Sequence, residues 1–140
     1  MELKPNFYTF PIRIYYEDTD AGGIVYHANY LKFAERGRTE LLRTLGYDHK
    51  KVLAEHNLIL VVRHIEIEYR APARLDDLLE VRTEALSIGN TSIGLKQAVY
   101  REDKLLADLK VTVVAINPQG KALRLPPQLR QIFGSHKPAK

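Results

Sequence analysis

Residues 17–30 read Glu17-Asp18-Thr19-Asp20-Ala21-Gly22-Gly23-Ile24-Val25-Tyr26-His27-Ala28-Asn29-Tyr30. Two carboxylates stand two apart, two glycines follow, and a helical pattern begins near His27. A loop of this kind can bring a carboxylate to a helix N-terminus, where unpaired main-chain N–H groups point outward and favour negative charge. The glycines let the main chain approach a ligand closely. A carboxylate facing such donors fits hydrolysis: the donors hold a carbonyl oxygen as it becomes an oxyanion, and the carboxylate attacks or activates water. Spacing alone leaves other readings open. Asp20 can cap its own turn. Asp-x-Asp-x-Gly also occurs in calcium loops, but the remaining liganding positions of such a loop are absent here.

The elements that must position this loop follow from periodicity. Residues 7–16 are aromatic and β-branched, with Ile12, Ile14 and Tyr16 alternating against Arg13 and Tyr15, which predicts a strand. Over residues 28–45, Tyr30, Phe33, Ala34, Gly37, Leu41 and Leu45 recur at three- and four-residue steps as one apolar stripe of a long helix that Gly46 ends. Asp48 can cap a shorter helix through Glu55. Residues 58–69, 78–87, 91–100 and 105–117 read as strands, with turns at Gly89-Asn90 and Glu102-Asp103. Pro126-Pro127 can start a short final helix through Phe133. One strand, one long helix and four strands joined by turns predict an α+β fold with an antiparallel sheet. Gly37 costs roughly 1 kcal/mol relative to alanine in mid-helix, a cost that fits a sheet pressing closely on the helix backbone. A single helix covers one sheet face, so a second subunit is expected on the other face or on an edge.

Composition bounds the partners. The chain has 140 residues, 45% hydrophobic and 27% charged, with no cysteine. One domain is expected, and disulfides and thiolate chemistry are excluded. No segment approaches the ~20 apolar residues of a membrane span. The N-terminus lacks the apolar core of a signal peptide, so the expected compartment is the cytosol. The net charge is +4, yet the last 20 residues carry five of the 21 Lys and Arg and none of the 17 Asp and Glu. Basicity is therefore a property of the tail (Lys121, Arg124, Arg130, Lys137, Lys140), read either as solvated or as touching anionic lipid, a carrier protein or coenzyme phosphates. Nucleic acid is not expected, because the body has no basic patch interleaved with aromatics. His49 and His56 share a helix face without a third ligand, so no metal site is read.

Residues 15–30 resemble the signature of hotdog-fold acyl-CoA thioesterases of the 4-hydroxybenzoyl-CoA thioesterase type. The Tyr-His-Ala-Asn-Tyr ending and Tyr69-x-x-Pro72-Ala73-Arg74-Leu75-Asp76-Asp77 are similar to its YbgC branch, which is associated with the Tol-Pal system. The resemblance runs over residues 7–117. It implies a five-stranded antiparallel sheet wrapped around a long central helix and a thioesterase domain over residues 1–120; the basic tail over 121–140, with its short helix, lies outside it. It implies dimers that join sheets edge to edge with active sites between subunits, often as tetramers, and no cofactor.

Matched position by position, the resemblance puts the catalytic carboxylate on Asp20 and the carbonyl-polarising amide on the main-chain N–H of His27. Asp18 is expected to be structural, as a loop acceptor or an arginine's partner. Gly23 and Tyr26 are candidate substrate contacts. Thr91 and Ser92 are further candidates, because a comparable turn contacts the coenzyme in the family; plain turn residues are the competing reading. Arg63, Arg70 and Arg82 are candidates for the coenzyme phosphates. Tyr26-His27-Ala28 stands where the 4-hydroxybenzoyl-CoA enzymes have aromatic and proline residues, which favours a short aliphatic acyl-CoA. Two alternatives carry forward: a hotdog hydratase or dehydratase, and a non-catalytic module that binds acyl chains or acyl carrier protein.

Overall fold

The computed structural model describes residues 7–44 and 46–134. Along the chain run β1 (Tyr8–Arg13), a 3₁₀ turn (Tyr16–Asp18), α1 (Asn29–Arg43), α2 (His49–His56), β2 (Ile59–Tyr69), β3 (Leu78–Ile88), β4 (Ser92–Arg101), β5 (Lys104–Ile116) and α3 (Pro127–Gly134). The five strands form one antiparallel sheet in the order β1-β3-β4-β5-β2. This is the expected α+β architecture, with helices segregated from an antiparallel sheet.

Register explains how the sheet receives α1. Tyr8, Thr83, Gln97, Leu109 and Ile67 lie in one row across five strands. Directly paired residues share a face, so this row and its neighbours Val81, Val99 and Ala107 face the helix. The α1 stripe Tyr30, Phe33, Ala34, Gly37 and Leu41 is buried against that face. A Cβ on Gly37 would stand 2.9 Å from Val81 Cγ1, so the missing side chain is what lets helix and sheet meet. Two polar residues, Thr83 and Gln97, are fully buried in the same face. Gln97 Nε2 donates to the Ala34 carbonyl at 2.8 Å and to Thr83 Oγ1 at 2.9 Å, and its Oε1 accepts from Arg38 Nη1 at 2.9 Å. Their alternation phase, shared with Val81 and Leu95, points them inward despite their polarity. Arg38 is correspondingly half-buried, and desolvation pulls its pKa down; it does not belong to a solvated charged face.

The later strands shift by a single residue at their ends, and larger differences lie before them. β1 stops at Arg13 because the chain then leaves the ladder: the Ile14 N–H donates to the Asp77 carbonyl at 2.9 Å and the Ile14 carbonyl accepts from Asp76 N at 3.1 Å. Ile14 stays buried, while Tyr16 enters the 3₁₀ turn and is 82% exposed. α1 starts at Asn29, just beyond His27 and Ala28. Its C-terminal stripe residue Leu45 lies outside the described residues, and Gly46, at φ +83°, turns the chain away. Asp48 caps α2 as expected, its Oδ1 accepting from Lys51 N at 2.7 Å. α2 runs on to His56 and ends at Asn57 in the left-handed region, φ 52°.

The basic tail expected beyond residue 120 is in large part structure. Ala122 bridges to Ile116, the Leu123 N–H donates to Ala115 O, and the Leu125 N–H donates to Asn90 O. α3 then buries Leu129, Ile132 and Phe133 in the common core. The packed fold therefore extends beyond residue 120, because an amphipathic helix needs an apolar face to cover. Arg130 Nη1 donates to the Gly89 carbonyl at 2.7 Å, a structural use of one tail cation. Lys137 and Lys140 lie outside the described residues. Among the described residues no helix is long and apolar enough to cross a membrane.

Candidate active site

The loop between β1 and α1 is built from its ends inward. The Asp18 carboxylate is buried; its Oδ2 accepts from Tyr15 N at 2.8 Å and its Oδ1 from Asn29 Nδ2 at 2.9 Å. Asp18 is thus the loop acceptor that was expected, with Asn29 and not an arginine as its partner. A bridge between Thr19 and Val25 narrows the loop. Inside it, the Asp20 N–H donates to Ile24 O at 2.9 Å and the Gly23 N–H donates to Asp20 O at 3.1 Å. Gly23 closes this turn at φ +82°, a conformation that costs a side-chain-bearing residue about 1 kcal/mol or more.

Asp20 Oδ1 accepts from the Gly22 N–H at 2.8 Å and, at a longer 3.4 Å, from the Ile24 N–H. The turn-capping role read from spacing is therefore real, and it uses one oxygen. Among the described residues nothing is hydrogen-bonded to Oδ2. One oxygen orients the group and the other is free to act.

Opposite stands the head of α1. The Tyr26 N–H donates to Asp18 O and the Asn29 N–H donates to Tyr26 O, both at 2.9 Å. The Tyr69 hydroxyl donates to the His27 carbonyl at 2.7 Å. Among the described residues the His27 main-chain N–H has no acceptor. It lies at the positive end of α1, where first-turn amides lack intrahelical partners.

A third segment closes the site. The Ala73 N–H donates to Tyr30 Oη at 3.2 Å, and the Ala73 carbonyl accepts from Val25 N at 2.9 Å. Arg101 Nη1 holds the same loop through Asp77 Oδ2 at 2.8 Å. Burial raises the pKa of both Tyr30 and Tyr69, so both phenols are neutral at pH 7.

These segments enclose a pocket of about 400 Å³ lined by Asp20, His27, Tyr30, Tyr69, Arg70 and Pro72, together with Ile24, Val25 and Ala71. The two residues singled out for catalysis thus share one cavity. Of the three candidate arginines, only Arg70 lines it. Arg82 lies over the Tyr100 ring at 3.9 Å and pairs with Glu80, and Arg63 is exposed where β2 shifts register. Gly23 borders a separate depression beside Asp20 and Tyr16. Tyr26 is 46% exposed with its ring against His27, outside the pocket wall.

Thr91 and Ser92 sit at the other end of the sheet. Val99, seven residues along β4 from Ser92, shares its row with Ala107 and Tyr69, so within one chain the turn is ~23 Å from the pocket at ~3.3 Å per residue. Tyr30 was expected as core or pocket wall and does line the pocket; Tyr69 was read only as the end of a strand, and Asn29 was given no role. Their signal lay in position, at a helix start and at the last residue of a strand, but the contact between Tyr69 and His27 spans 42 residues and no local pattern shows it.

The thioesterase superfamily model matches residues 22–107. The acyl-CoA thioester hydrolase YbgC of Escherichia coli O6:H1 is 45% identical over 83% of this chain and 87% of its own. The acyl-CoA thioesterase YbgC of Haemophilus influenzae is 42% identical over 94% of this chain and 97% of its own. Among solved structures, a probable thioesterase from Bartonella henselae superposes with a TM-score of 0.83 at 38% identity, covering 86% of this chain and 99% of that one. With the family model spanning more than half of its length and such relatives along nearly all of it, the chain belongs to the thioesterase superfamily, in its YbgC-like branch, and is a thioester hydrolase of hotdog fold.

Proposed function

We propose that the chain hydrolyses short aliphatic acyl-CoA thioesters to a free acid and coenzyme A, with Asp20 as the catalytic carboxylate and the His27 main-chain N–H as the donor to the thioester carbonyl. The observation that carries this reading is one pocket lined by both residues, with an Asp20 oxygen and the His27 amide each left without a partner among the described residues. The carbonyl oxygen sits at the head of α1, where the amide and the helix dipole stabilise the charge that develops on it. Asp20 Oδ2 attacks the carbonyl carbon, giving a mixed anhydride that water then opens, or takes a proton from a water that attacks directly. On either route the C–S bond breaks, the sulfur leaves as coenzyme A thiol after gaining a proton, and the acid departs as its carboxylate. A volume of about 400 Å³ with Ile24, Val25, Ala71 and Pro72 in its wall suits a short aliphatic acyl group.

Arg70 is the pocket cation suited to a coenzyme phosphate, half-exposed and only loosely paired with Asp108 at 3.4 Å. β2 is an edge strand with an open ladder, which suits edge-to-edge pairing of two copies. A two-fold axis makes such pairing antiparallel, so the 89–92 turn of one copy approaches the Asp20 pocket of the other, the arrangement in which Thr91 and Ser92 reach coenzyme. The cytosol, with its acyl-CoA, is the compartment this proposal assumes.

The test is thiol release from acyl-CoA of graded chain length by the unaltered chain and by Asp20→Asn. The substitution keeps the size and removes the charge, and loss of a general base costs ~10²–10⁴-fold in rate. A folded Asp20→Asn protein with more than about a tenth of the original turnover, a barrier change of ~1.4 kcal/mol or less, refutes the assignment.

A further inference from the structure

We infer that Asp18 and Asn29 are positioning residues for the hydrolysis, their buried hydrogen bond setting the direction of the His27 N–H relative to the Asp20 carboxylate. The inference rests on the roles given above to Asp20 and His27. Asp18 and Asn29 are 8% and 9% exposed, two of four buried polar residues among those described. They are the two feet of the loop that carries both reacting groups: Asp20 lies two residues after one foot and His27 two residues before the other.

Three bonds pass through these feet. Asp18 Oδ1 accepts from Asn29 Nδ2 at 2.9 Å, Asp18 O accepts from Tyr26 N at 2.9 Å, and the Asn29 N–H donates to Tyr26 O at 2.9 Å. The last one matters most. In a trans peptide the C=O and the following N–H point in opposite directions. Holding the Tyr26 carbonyl against the Asn29 amide therefore turns the His27 N–H the other way, away from the helix. The Asn29 side chain is in turn held by Asp18, whose second oxygen is anchored on Tyr15 N at 2.8 Å.

The donor inventory argues that the pair is specific. Asp18 is a buried carboxylate that forms no ion pair among the described residues; neutral N–H groups and the positive end of α1 hold its charge. Burying a charge in this way is costly unless its acceptors are met, and an apolar contact would join the same two segments at less cost. What a carboxylate adds is two acceptors at a fixed angle facing two donors, which fixes geometry as well as proximity.

The test exchanges the two side chains. In Asp18→Asn the charge is lost, but a flipped Asn29 amide can take the new NH₂ on its oxygen while the amide oxygen at position 18 keeps the Tyr15 N–H, so this variant keeps the pattern and is the mild one. In Asn29→Asp two carboxylates face each other. In the double exchange Asp18→Asn/Asn29→Asp the pattern returns: the amide oxygen at position 18 takes the Tyr15 N–H, and its NH₂ donates to the new carboxylate at position 29. Asn29→Ala is a further variant that removes one donor and keeps the Tyr15 bond. Thiol-release kinetics are normalised to folded protein and measured well below each melting midpoint, with Asp20→Asn in parallel.

The expected result is kcat lowered ~10–100-fold in Asn29→Asp and in Asn29→Ala, the scale of a small misplacement of reacting groups, with KM moved less than about threefold, and with kcat of Asp18→Asn and of the double exchange within about threefold of the original. A merely structural pair lowers the melting midpoint and leaves kcat per folded molecule unchanged. The inference is overturned if folded Asn29→Ala keeps kcat within about twofold, or if the double exchange folds and is as slow as Asn29→Asp. Should Asn29→Asp not fold, Asn29→Ala and the double exchange still decide. An active Asp20→Asn overturns the underlying reading instead, whereas an inactive Asp20→Asn beside fully active Asn29→Ala overturns this inference alone.

Discussion

Leu129→Ala should unfold the protein far more readily than any substitution in a solvated tail could. Leu129 is fully buried, and Ile132 and Phe133 of the same helix are 1% and 3% exposed. Leucine-to-alanine changes at such sites cost about 2–5 kcal/mol, from lost burial and the cavity left behind. Against a total stability of roughly 5–15 kcal/mol, that is a large fraction. At ~3–5 °C per kcal/mol for a chain of this size, the melting midpoint should fall by roughly 6–25 °C. The control is Arg124→Gln, an exposed tail cation, for which a change within about 0.5 kcal/mol is expected. Turnover per folded molecule should be unchanged at 25 °C in both, because α3 packs beneath the Ile88 end of β3, away from the Asp20 pocket. Calorimetric melting beside thiol release reads both quantities. A Leu129→Ala midpoint within about 1 °C of the original would refute the packing of α3; an intact midpoint after ending the chain at Pro126 would do the same.

Gly37→Ala places a Cβ 2.9 Å from Val81 Cγ1 and 3.4 Å from Gln97 Nε2; overpacking of ~1–3 kcal/mol outweighs the ~1 kcal/mol gained in helix propensity, so the urea midpoint should fall, and a rise would contradict so close a seat. Tyr69→Phe removes the donor to the His27 carbonyl; one hydrogen bond of ~0.5–1.5 kcal/mol predicts a melting midpoint lower by ~2–7 °C and a kcat per folded molecule lowered by at most about tenfold, whereas unaltered kcat would show that the hydroxyl does not steady the head of α1.

How far the fold was legible depended on the range of the signal. The stripe of α1 repeats with the period of a helix and faces one continuous apolar surface, so its existence and buried face were readable, and Gly37 announced the close approach of the sheet. The end of β1 was not readable. Ile14 continues the apolar alternation, but its main-chain bonds go to Asp76 and Asp77, more than 60 residues away, which turn the chain out of the ladder. Gln97 and Thr83 broke the rule that polar residues face outward, because Gln97 donates to the Ala34 carbonyl of α1 and Thr83 Oγ1 accepts from Gln97 across the sheet. In the tail, charge dominated the composition, while Leu129, Ile132 and Phe133 had no visible partner until α3 lay against the Ile88 end of β3. At the site, Asp20 and the head of α1 stood out because their spacing is local. Tyr69 and the Asp18–Asn29 bond did not, because side chains from separate elements make them.

The geometry of the proposed site depends on packing remote from the pocket. The His27 amide is aimed by the peptide before it, that peptide is held by Asn29, and Asn29 sits where the first turn of α1 places it. α1 in turn is seated by Gly37 against Val81, and its backbone is tied to the sheet by Gln97 through the Ala34 carbonyl. Rotating the helix to relieve an added methyl at residue 37 would carry its first turn with it. A rigid helix of 15 residues thus links a contact in the middle of the sheet to an amide at one end. The buried polar row of Thr83 and Gln97 is the costliest part of that seat, since Gln97 loses the Ala34 carbonyl and Arg38 if α1 shifts. The polar residues that sequence alternation would place in solvent are therefore the ones that make a single helix position favourable, and so keep donor and carboxylate facing each other.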